Sequence, residues 1–354
     1  MTDFKKELQE LVDIIMKEGA SDLHISAFRK PSIRVSGELI PLVSRQVLTP
    51  DDSAGLVSEL MGERNKKIFL ENKDLDFAYS GPNGLRFRGN AFFQRGFVGC
   101  ALRAIQTKIK SIEELSLPPI LKEFINKKQG FFLVVGPVGQ GKSTTLASMI
   151  ELINHQRAEH ILTIEDPIEY IFSGDRSIID QREVRFDTET FQTALRSMFR
   201  EDINVAMIGE MRTAETISAA VTAAETGHLI FSTLHTNNAA QTIDRIIDSF
   251  PGDQQNQIRS QLASSLLGVF SQRLIPRISG GLVPAYELLI NNSAVSNLIR
   301  EGRNSEINVV IETGSESGMI DMNHSLADLI RKGEISPEVA RTYSLNPRAL
   351  ERIL

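Results

Sequence analysis

The first part of the chain combines helical spacing with short, strand-like runs of apolar residues. In the range Phe4–Ile15, apolar residues recur every three or four positions, which predicts an amphipathic helix that ends at Gly19. Short apolar runs broken by turn residues follow, with two more helices expected around Asp51–Met61 and Glu63–Glu71. This pattern predicts a small α+β domain over residues 1–107.

A turn sequence and a polar segment interrupt this pattern. The turn GPNG, residues 81–84, separates two alternating segments, DLDFAYS and LRFRGNAFFQR, and predicts a β-hairpin. The segment QTKIKSIEELSLPP is mostly polar and ends in two prolines. We therefore expect a linker over residues 108–119.

The chain beyond the expected linker has a different pattern. It contains the compact apolar runs FFLVV, HILTI, NVAMI and HLIFSTL, which helical segments separate. Continuous apolar strands that alternate with helices indicate a parallel sheet buried on both faces. The sequence thus predicts a second domain, of the α/β class, over residues 120–354, with a helical region at its C-terminal end.

Composition and charge exclude several classes of protein. The 354 residues have ordinary globular composition and are enough for about two domains. A formal net charge of −6 argues against a general nucleic-acid binder, so no nucleic-acid partner is expected. The single cysteine, Cys100, excludes an intrachain disulfide and a cysteine-rich zinc site. Without a secretory signal or a continuous apolar span of membrane length, a soluble, cytoplasmic protein is expected.

The strongest chemical signal is GPVGQGKS, which fits the pattern G-x-x-x-x-G-K-[ST] in full. A strand pattern precedes it and a helical pattern follows it, as this motif requires. Glycines let backbone N–H groups face phosphate oxygens, and Lys142 adds a cation beside the β- and γ-phosphates. The hydroxyl of Ser143 is the expected Mg²⁺ ligand. The predicted nucleotide-binding residues are Gly136, Pro137, Val138, Gly139, Gln140, Gly141, Lys142, Ser143 and Thr144.

Acidic residues follow two of the buried strands of the predicted parallel sheet. Glu210 comes directly after NVAMIG, and Glu165 and Asp166 come after HILTI. Carboxylates at the ends of neighbouring parallel strands can lie beside a phosphate loop, where they divide metal binding and water activation between them. We predict that Glu165 activates water and that Glu210 has the Mg²⁺-linked role, and the sequence also permits the reverse.

Two histidines, His228 and His235, stand at the two ends of one strand pattern, GHLIFSTLHT. A neutral histidine at a strand end can sense a γ-phosphate through a hydrogen bond. Both are therefore candidate catalytic residues, although a lone histidine is also often a satisfied structural residue.

These motifs, in this order, resemble those of the secretion and type IV pilus motor ATPases over nearly the whole chain. GPVGQGKSTT is similar to that family's Walker A motif, ILTIEDPIEY to its aspartate box, NVAMIGEMRTAET to its Walker B motif and GHLIFSTLHT to its histidine box. GASDLHIS and RFRGNAFFQRGFVGCALRAI are similar to its smaller N-terminal domain. The resemblance implies a PAS-like α+β N-terminal domain and a RecA-like phosphate-loop NTPase domain with a mostly parallel sheet.

Within the family, the chain resembles the PilT-like retraction branch. Extension ATPases usually carry a four-cysteine zinc insertion, which a chain with one cysteine cannot form. The segment AVSNLIREG, Ala294–Gly302, is similar to the AIRNLIRE motif of the retraction branch, with Ser296 in place of an arginine. Val138 and Gln140 replace a threonine and a serine common in the family's loop, and both are expected to contribute mainly backbone. Thr213 stands where the family usually has aspartate.

The resemblance implies a homohexamer that hydrolyses ATP with Mg²⁺ to drive type IV pilus retraction and twitching motility. ATP would lie between the ATPase domain of one subunit and an N-terminal domain, which contributes Arg88 and Arg103, with Arg95 as a further candidate. The resemblance also implies a cytoplasmic protein at the inner membrane, peripheral and not inserted. It would act on an inner-membrane platform protein and, through it, on the pilus.

Three alternatives stay open from the sequence. A pilus-extension or type II secretion assembly ATPase would use the same chemistry with the opposite output. A phosphate-loop DNA translocase is disfavoured by the acidic charge and by the lack of a basic, aromatic-rich segment. A nucleotide-gated scaffold would bind ATP without hydrolysing it.

Overall fold

The computed structural model of the protein describes residues 3–35, 37–81, 86–105 and 108–354. The chain divides into two compact units, residues 1–107 and 108–354. Each unit has its own β-sheet and its own cluster of buried hydrophobic residues. Among the described residues, no helix combines the length and the apolar content that crossing a membrane requires.

The first unit is an antiparallel sheet with helices. Its described residues form helices α1 (Phe4–Glu18), α2 (Pro50–Leu60) and α3 (Glu63–Asn72) and strands β1 (Asp22–Ser26), β2 (Ser32–Val35), β3 (Glu38–Pro41), β4 (Asp74–Ser80), β5 (Arg86–Gln94) and β6 (Phe97–Ala104). The strand order is β3-β2-β1-β6-β5-β4, and neighbouring strands are antiparallel. This confirms the predicted α+β character of this part of the chain.

Helix α1 shows how apolar spacing leads to burial. Asp3 caps its first turn by accepting a hydrogen bond from the Lys6 N–H at 3.1 Å. Gly19 ends the helix with a φ of +61°, a left-handed conformation that glycine adopts without strain. One face of the helix is buried in the core of the first unit, as a period of 3.6 residues predicts, through Leu8, Leu11, Val12 and Ile15.

The predicted hairpin corresponds to strands β4 and β5. They pair antiparallel, from Asp74 opposite Phe92 to Ser80 opposite Arg86. The pairing is therefore the one predicted from the alternating segments. Of the predicted turn itself, residues 82–84 lie outside the described residues.

The second unit is a mostly parallel sheet with helices. Its strands are β7 (Gly130–Val135), β8 (His160–Glu165), β9 (Ile178–Glu183), β10 (Val205–Ile208), β11 (Leu229–Leu234), β12 (Leu266–Pro276) and β13 (Leu282–Ile290). Its α-helices are α4 (Leu121–Ile125), α5 (Lys142–Gln156), α6 (Phe191–Met198), α7 (Ala214–Glu225), α8 (Ala239–Asp248), α9 (Gly252–Ser265), α10 (Ser293–Glu301), α11 (Ile307–Thr313), α12 (Met322–Arg331), α13 (Pro337–Tyr343) and α14 (Pro347–Ile353). The strand order is β13-β12-β7-β11-β10-β8-β9. Strand β13 runs antiparallel to β12, and all other neighbouring pairs among these strands are parallel.

The central strand β7 explains the continuous apolar runs of this unit. Successive side chains point to opposite faces, so Phe131, Leu133 and Val135 join one buried cluster while Phe132 and Val134 join another. Both faces of the sheet are covered by helices and therefore require apolar residues. Because β7, β8, β10 and β11 run parallel, their carboxyl ends lie along one edge of the sheet. That edge carries the candidate site.

The segment predicted as a linker, residues 108–119, differs from the expectation. The structure groups it with the second unit. Ile112 and Leu117 are only 2% and 5% exposed and belong to one of the two hydrophobic clusters that flank the sheet of this unit. The polar composition obscured this packing, because a few apolar residues are enough to attach a short segment to a core.

Candidate functional site

A glycine-rich turn joins β7 to α5 at the carboxyl edge of the sheet. Gly136, Gly139 and Gly141 have φ values of +148°, +75° and +78°, which residues with a Cβ rarely adopt. Gly141 is also the N-cap of α5, so the unpaired N–H groups of that helix lie beside the turn. The turn therefore combines backbone donors, the positive end of a helix dipole and Lys142, a combination that binds phosphate.

Gly136 has no room for a side chain. A Cβ at this position would lie 2.4 Å from the carbonyl oxygen of Gln272 on β12. We expect Gly136→Ala to displace the turn and to weaken ADP binding at least ~10-fold, while the buried core still folds. A fluorescent-nucleotide titration measures the first effect and thermal unfolding the second.

Gly252→Ala is the matched control for this prediction. No atom lies within 4 Å of the Cβ that it would add, and Gly252 opens α9. This variant should bind ADP like the wild type. Equal affinity in the two variants would contradict the role given to the close approach at Gly136.

The turn forms one wall of a cleft with a volume of about 460 Å³. The opposite walls come from the segments that follow β8, β10 and β11. The cleft therefore brings together side chains that the sequence predicted to act jointly, namely Lys142, Ser143, Glu165, Glu210 and His235.

Lys142, His235 and Glu210 form a chain of polar contacts across the cleft. The Lys142 ammonium donates to the carbonyl oxygens of Gly136 at 2.9 Å and Pro137 at 2.8 Å, and its Nζ lies 3.3 Å from His235 Nδ1. Because an ammonium group only donates, Nδ1 must accept, and the His235 proton then sits on Nε2. That Nε2 lies 3.9 Å from Glu210 Oε2.

The charges around His235 favour its neutral form. Burial lowers the pKa of His235, and the charge of Lys142 lowers it further, while Glu210 raises it. Burial also lowers the pKa of Lys142, and the carboxylates of Glu169 and Glu210 oppose that effect. His235 can therefore donate a hydrogen bond through Nε2 without carrying a charge of its own.

Glu165 is a buried carboxyl in this cleft. It is 5% exposed, and burial raises its pKa to about 7. The Thr163 hydroxyl donates to it at 2.7 Å and the Glu169 N–H at 3.2 Å, and both bonds lower the pKa without cancelling the effect of burial. A carboxyl with this pKa can accept a proton at neutral pH more readily than an ordinary, fully ionised one.

Glu210 is the more open of the two acids. Its side chain is 17% exposed, and Arg212 Nε lies 2.8 Å from its Oε1. Thr213, three residues after Glu210, is the N-cap of α7. Its hydroxyl oxygen accepts a hydrogen bond from the Thr216 N–H at 3.3 Å. Threonine and aspartate are both favoured at N-caps, which accounts for the threonine found where the family usually has aspartate.

The donors present fit a Mg²⁺ ion that is completed by phosphate oxygens. Among the described residues, no group of three or more His, Cys, Asp and Glu side chains could hold a metal ion. The cleft does contain the Ser143 hydroxyl and the Glu210 carboxylate, which are the oxygen donors that Mg²⁺ prefers. Few protein ligands are typical of a magnesium site that a nucleotide shares.

His228 is not among the residues that line the cleft of this subunit, so its role as a catalytic residue stays a prediction. His228 lies just before β11 and His235 just after it, so the strand separates them by roughly 20 Å. The His228 Nδ1 lies 3.0 Å from the Ala223 carbonyl oxygen, and its ring packs edge-on against Phe199 at 5.6 Å. Within this subunit, its contacts are therefore with the C-terminal part of α7 and with Phe199.

The three predicted arginines belong to the first unit. Arg88 on β5 lies directly opposite Arg103 on β6, and both are exposed. The Arg103 Nε lies 2.8 Å from Oδ1 of Asp22, which is nearly buried. Arg95 lies in the turn between β5 and β6. The structure thus pairs Arg88 with Arg103 and sets Arg95 apart at the end of the hairpin.

Several residues that line the cleft or support its phosphate loop were not predicted. The Tyr170 hydroxyl lies 2.8 Å from Thr144 Oγ1, and Glu169 lines the cleft. Both are in the ILTIEDPIEY motif, so a signal existed, but the turn that brings them back to the loop cannot be deduced from spacing. Gln272 contacts the loop from β12, and its 132-residue separation from Gln140 left no local signal.

Comparison with known proteins gives a consistent set of relatives. The model of the type II/IV secretion system protein family matches residues 3–280. The type IV pilus retraction ATPase PilT of Pseudomonas aeruginosa is 44% identical over 346 residues, which are 96% of this chain and 99% of that protein. A twitching motility protein of Neisseria gonorrhoeae is 45% identical over 92% of this chain and 87% of its own length. The crystal structure of the pilus retraction motor PilT with bound ADP matches with a TM-score of 0.92 at 45% identity, over 97% of this chain and 98% of that one.

Proposed function

We propose, from the premise that this chain belongs to the type II/IV secretion system protein family and within it to the PilT branch, that it is an ATP-driven motor for retraction of type IV pili. The observation that carries this proposal is the match of nearly the whole chain, in sequence and in fold, to a pilus retraction ATPase. The cleft of the second unit supplies groups suited to the chemistry.

ATP is the proposed substrate of this cleft. The backbone donors of residues 136–144 and the Lys142 ammonium would bind its phosphates, as in other phosphate-loop sites. Ser143 and Glu210 would hold Mg²⁺, which when bound neutralises charge on the phosphate oxygens. Glu165 would accept the proton of the attacking water, and His235 Nε2 would donate to a phosphate oxygen.

Coupling of hydrolysis to movement belongs to the same proposal. We propose a homohexamer in which Arg88 and Arg103 reach the nucleotide, a role that the family resemblance supplies. A guanidinium group at a γ-phosphate stabilises charge in the transition state and contributes about 10³–10⁵ in rate in well-studied NTPases. Loss of phosphate would remove these contacts and release the closed state, so that each turnover moves an inner-membrane platform protein.

A genetic experiment in the source bacterium tests the direction of this motor. A strain that lacks the protein should be non-motile on surfaces and carry more pili than the wild type, because pili are assembled but not withdrawn. The intact gene should restore twitching, and a Lys142→Ala allele should not. A strain without pili would instead indicate an assembly motor.

Two assays with the purified protein separate the other classes. Release of inorganic phosphate from ATP distinguishes a hydrolase from a nucleotide-gated scaffold. Duplex DNA added to the same assay should leave the rate unchanged. A rate that rose with DNA would favour a translocase.

A further inference from the structure

Strand β12 extends beyond the strand that it pairs with. It is hydrogen-bonded to β7 as far as Ser271 opposite Val135, where β7 ends. From Gln272 to Pro276, β12 continues with only β13 beside it, and the position of β7 is taken by the phosphate loop. The loop therefore faces a strand edge whose backbone groups need partners.

Gln140 supplies one of these partners with its side chain. Its Oε1 accepts a hydrogen bond from the backbone N–H of Leu274 at 2.7 Å. The side chain thus acts in place of a strand that has ended. A serine at this position would end one bond beyond Cβ, whereas the amide oxygen of glutamine lies three bonds beyond it, so only the longer side chain reaches Leu274 from this backbone.

Gln272 returns the contact from the strand to the loop. Its Nε2 donates to the backbone carbonyl of Gln140 at 2.8 Å, and its Oε1 accepts from the Thr145 hydroxyl of α5 at 2.6 Å. Gln272 is 2% exposed, so water cannot easily replace either partner. Together the two glutamines make three hydrogen bonds that hold the loop and the first turn of α5 against β12.

We propose that Gln140 and Gln272 are positioning residues that hold the phosphate loop in its nucleotide-binding conformation before the nucleotide arrives. This inference uses one part of the proposed function, namely that the loop is the nucleotide-binding site. The bonded positions 140 and 145 enclose residues 141–144, whose backbone would meet the phosphates. Binding groups that are already ordered lose less conformational entropy on binding, and affinity rises accordingly.

Gln140→Met tests this inference with little change in side-chain shape. Methionine has the same length but lacks the amide oxygen, so the bond to Leu274 is lost. Because one hydrogen bond is involved, we expect the Kd for ADP, measured by calorimetry, to rise about five- to tenfold. The KM for ATP should rise by a larger factor than kcat falls, since the variant leaves the groups that surround the reacting phosphate in place.

A second variant and a control make the test independent of one substitution. Thr145→Val removes the donor to Gln272 and should also raise the Kd for ADP. Gln254→Met makes the same replacement as Gln140→Met at an exposed position on α9 and should bind ADP like the wild type. Unchanged affinity in both Gln140→Met and Thr145→Val, with thermal unfolding as in the wild type, would overturn the inference.

Amide hydrogen exchange of the nucleotide-free protein separates this inference from the function. Residues 136–144 should exchange faster in Gln140→Met than in the wild type or in Gln254→Met, whatever the protein does in the cell. Faster exchange in Gln140→Met would support the positioning role. If, in addition, the wild-type gene failed to restore twitching to a strain that lacks it, the proposal of a retraction motor would be contradicted. If the wild-type gene restores twitching but Gln140→Met and Thr145→Val leave both exchange and ADP affinity unchanged, the retraction motor would be supported and the positioning role contradicted.

Discussion

Replacing Lys142 with alanine should abolish ATP hydrolysis, with kcat reduced at least ~10³-fold. Lys142 is the cation at the phosphate loop, and burial at 7% exposure strengthens its interaction with a polyanionic substrate. Among the described residues, its ammonium bonds to two loop carbonyls and to His235 at the wall of the cleft, so its removal should leave the core folded. Phosphate release and thermal unfolding, measured on the same preparation, test both expectations.

The matched control for this variant is Lys128→Ala, at an exposed position before β7. It should hydrolyse ATP at the wild-type rate. The titration of His235, followed by NMR, gives a further readout, because the charge of Lys142 helps to lower the pKa of that histidine. We expect its pKa to rise in Lys142→Ala. Normal turnover in Lys142→Ala would refute the assignment of the site.

Replacing Glu165 with glutamine should reduce kcat about 10²–10⁴-fold, the usual contribution of a positioned proton acceptor. Glutamine keeps the shape and one acceptor oxygen, so the Thr163 hydroxyl can keep its partner while the Glu169 N–H loses its acceptor. Thermal unfolding of the variant shows whether this lost hydrogen bond changes the fold. Single-turnover phosphate release measures the reduced rate without interference from product dissociation. If Glu210→Gln shows the larger loss and Glu165→Gln a small one, the two acids exchange their proposed roles.

The chain offers a close control in Glu287 on β13. It is also buried, at 6% exposure, and burial raises its pKa to about 7, but it does not line the cleft. Its carboxylate accepts a hydrogen bond from the Ala239 N–H at 2.7 Å, which a glutamine can also accept. Glu287→Gln should therefore hydrolyse ATP like the wild type. Equal losses in both variants would point to a general effect of removing a buried charge.

The pH dependence of activity follows from the same carboxyl. As pH falls through about 7, Glu165 becomes protonated and can no longer accept a proton, so kcat/KM of the wild type should fall on the acidic side. The residual activity of Glu165→Gln should lack this limb of the profile. Glu287→Gln should keep it.

Activity should fall as the pH is lowered, whereas the stabilising contribution of the Glu165 and Glu287 carboxyls should fall as the pH is raised. Their pKa values are raised on folding from 4.5 to about 7, so the unfolded chain binds fewer protons between these values, and stability is lost as pH rises through this window. At pH 8 each glutamine variant should be more stable than the wild type by about 3 kcal/mol, and below pH 4.5 the difference should vanish. Denaturant unfolding at the two pH values measures the difference.

The sequence by itself determined the elements and much of the site. The helix from Phe4 and the buried strands follow from the spacing of apolar residues, since helices and strands present their faces with fixed periods. The phosphate loop follows from glycines at positions whose backbone angles other residues rarely adopt. The meeting of Glu165, Glu210 and His235 could be anticipated because neighbouring parallel strands end along one edge.

Only the tertiary structure decided which residues from distant parts of the sequence contact that edge, and how deeply each is buried there. It separated His228 from His235 by the length of β11, and it attached residues 108–119 to a core that their polar composition concealed. It showed that the Gln140 side chain, expected to contribute little beyond its backbone, bonds to β12. Burial and long-range hydrogen bonds depend on the path of the whole chain, and local periodicity carries no information about that path.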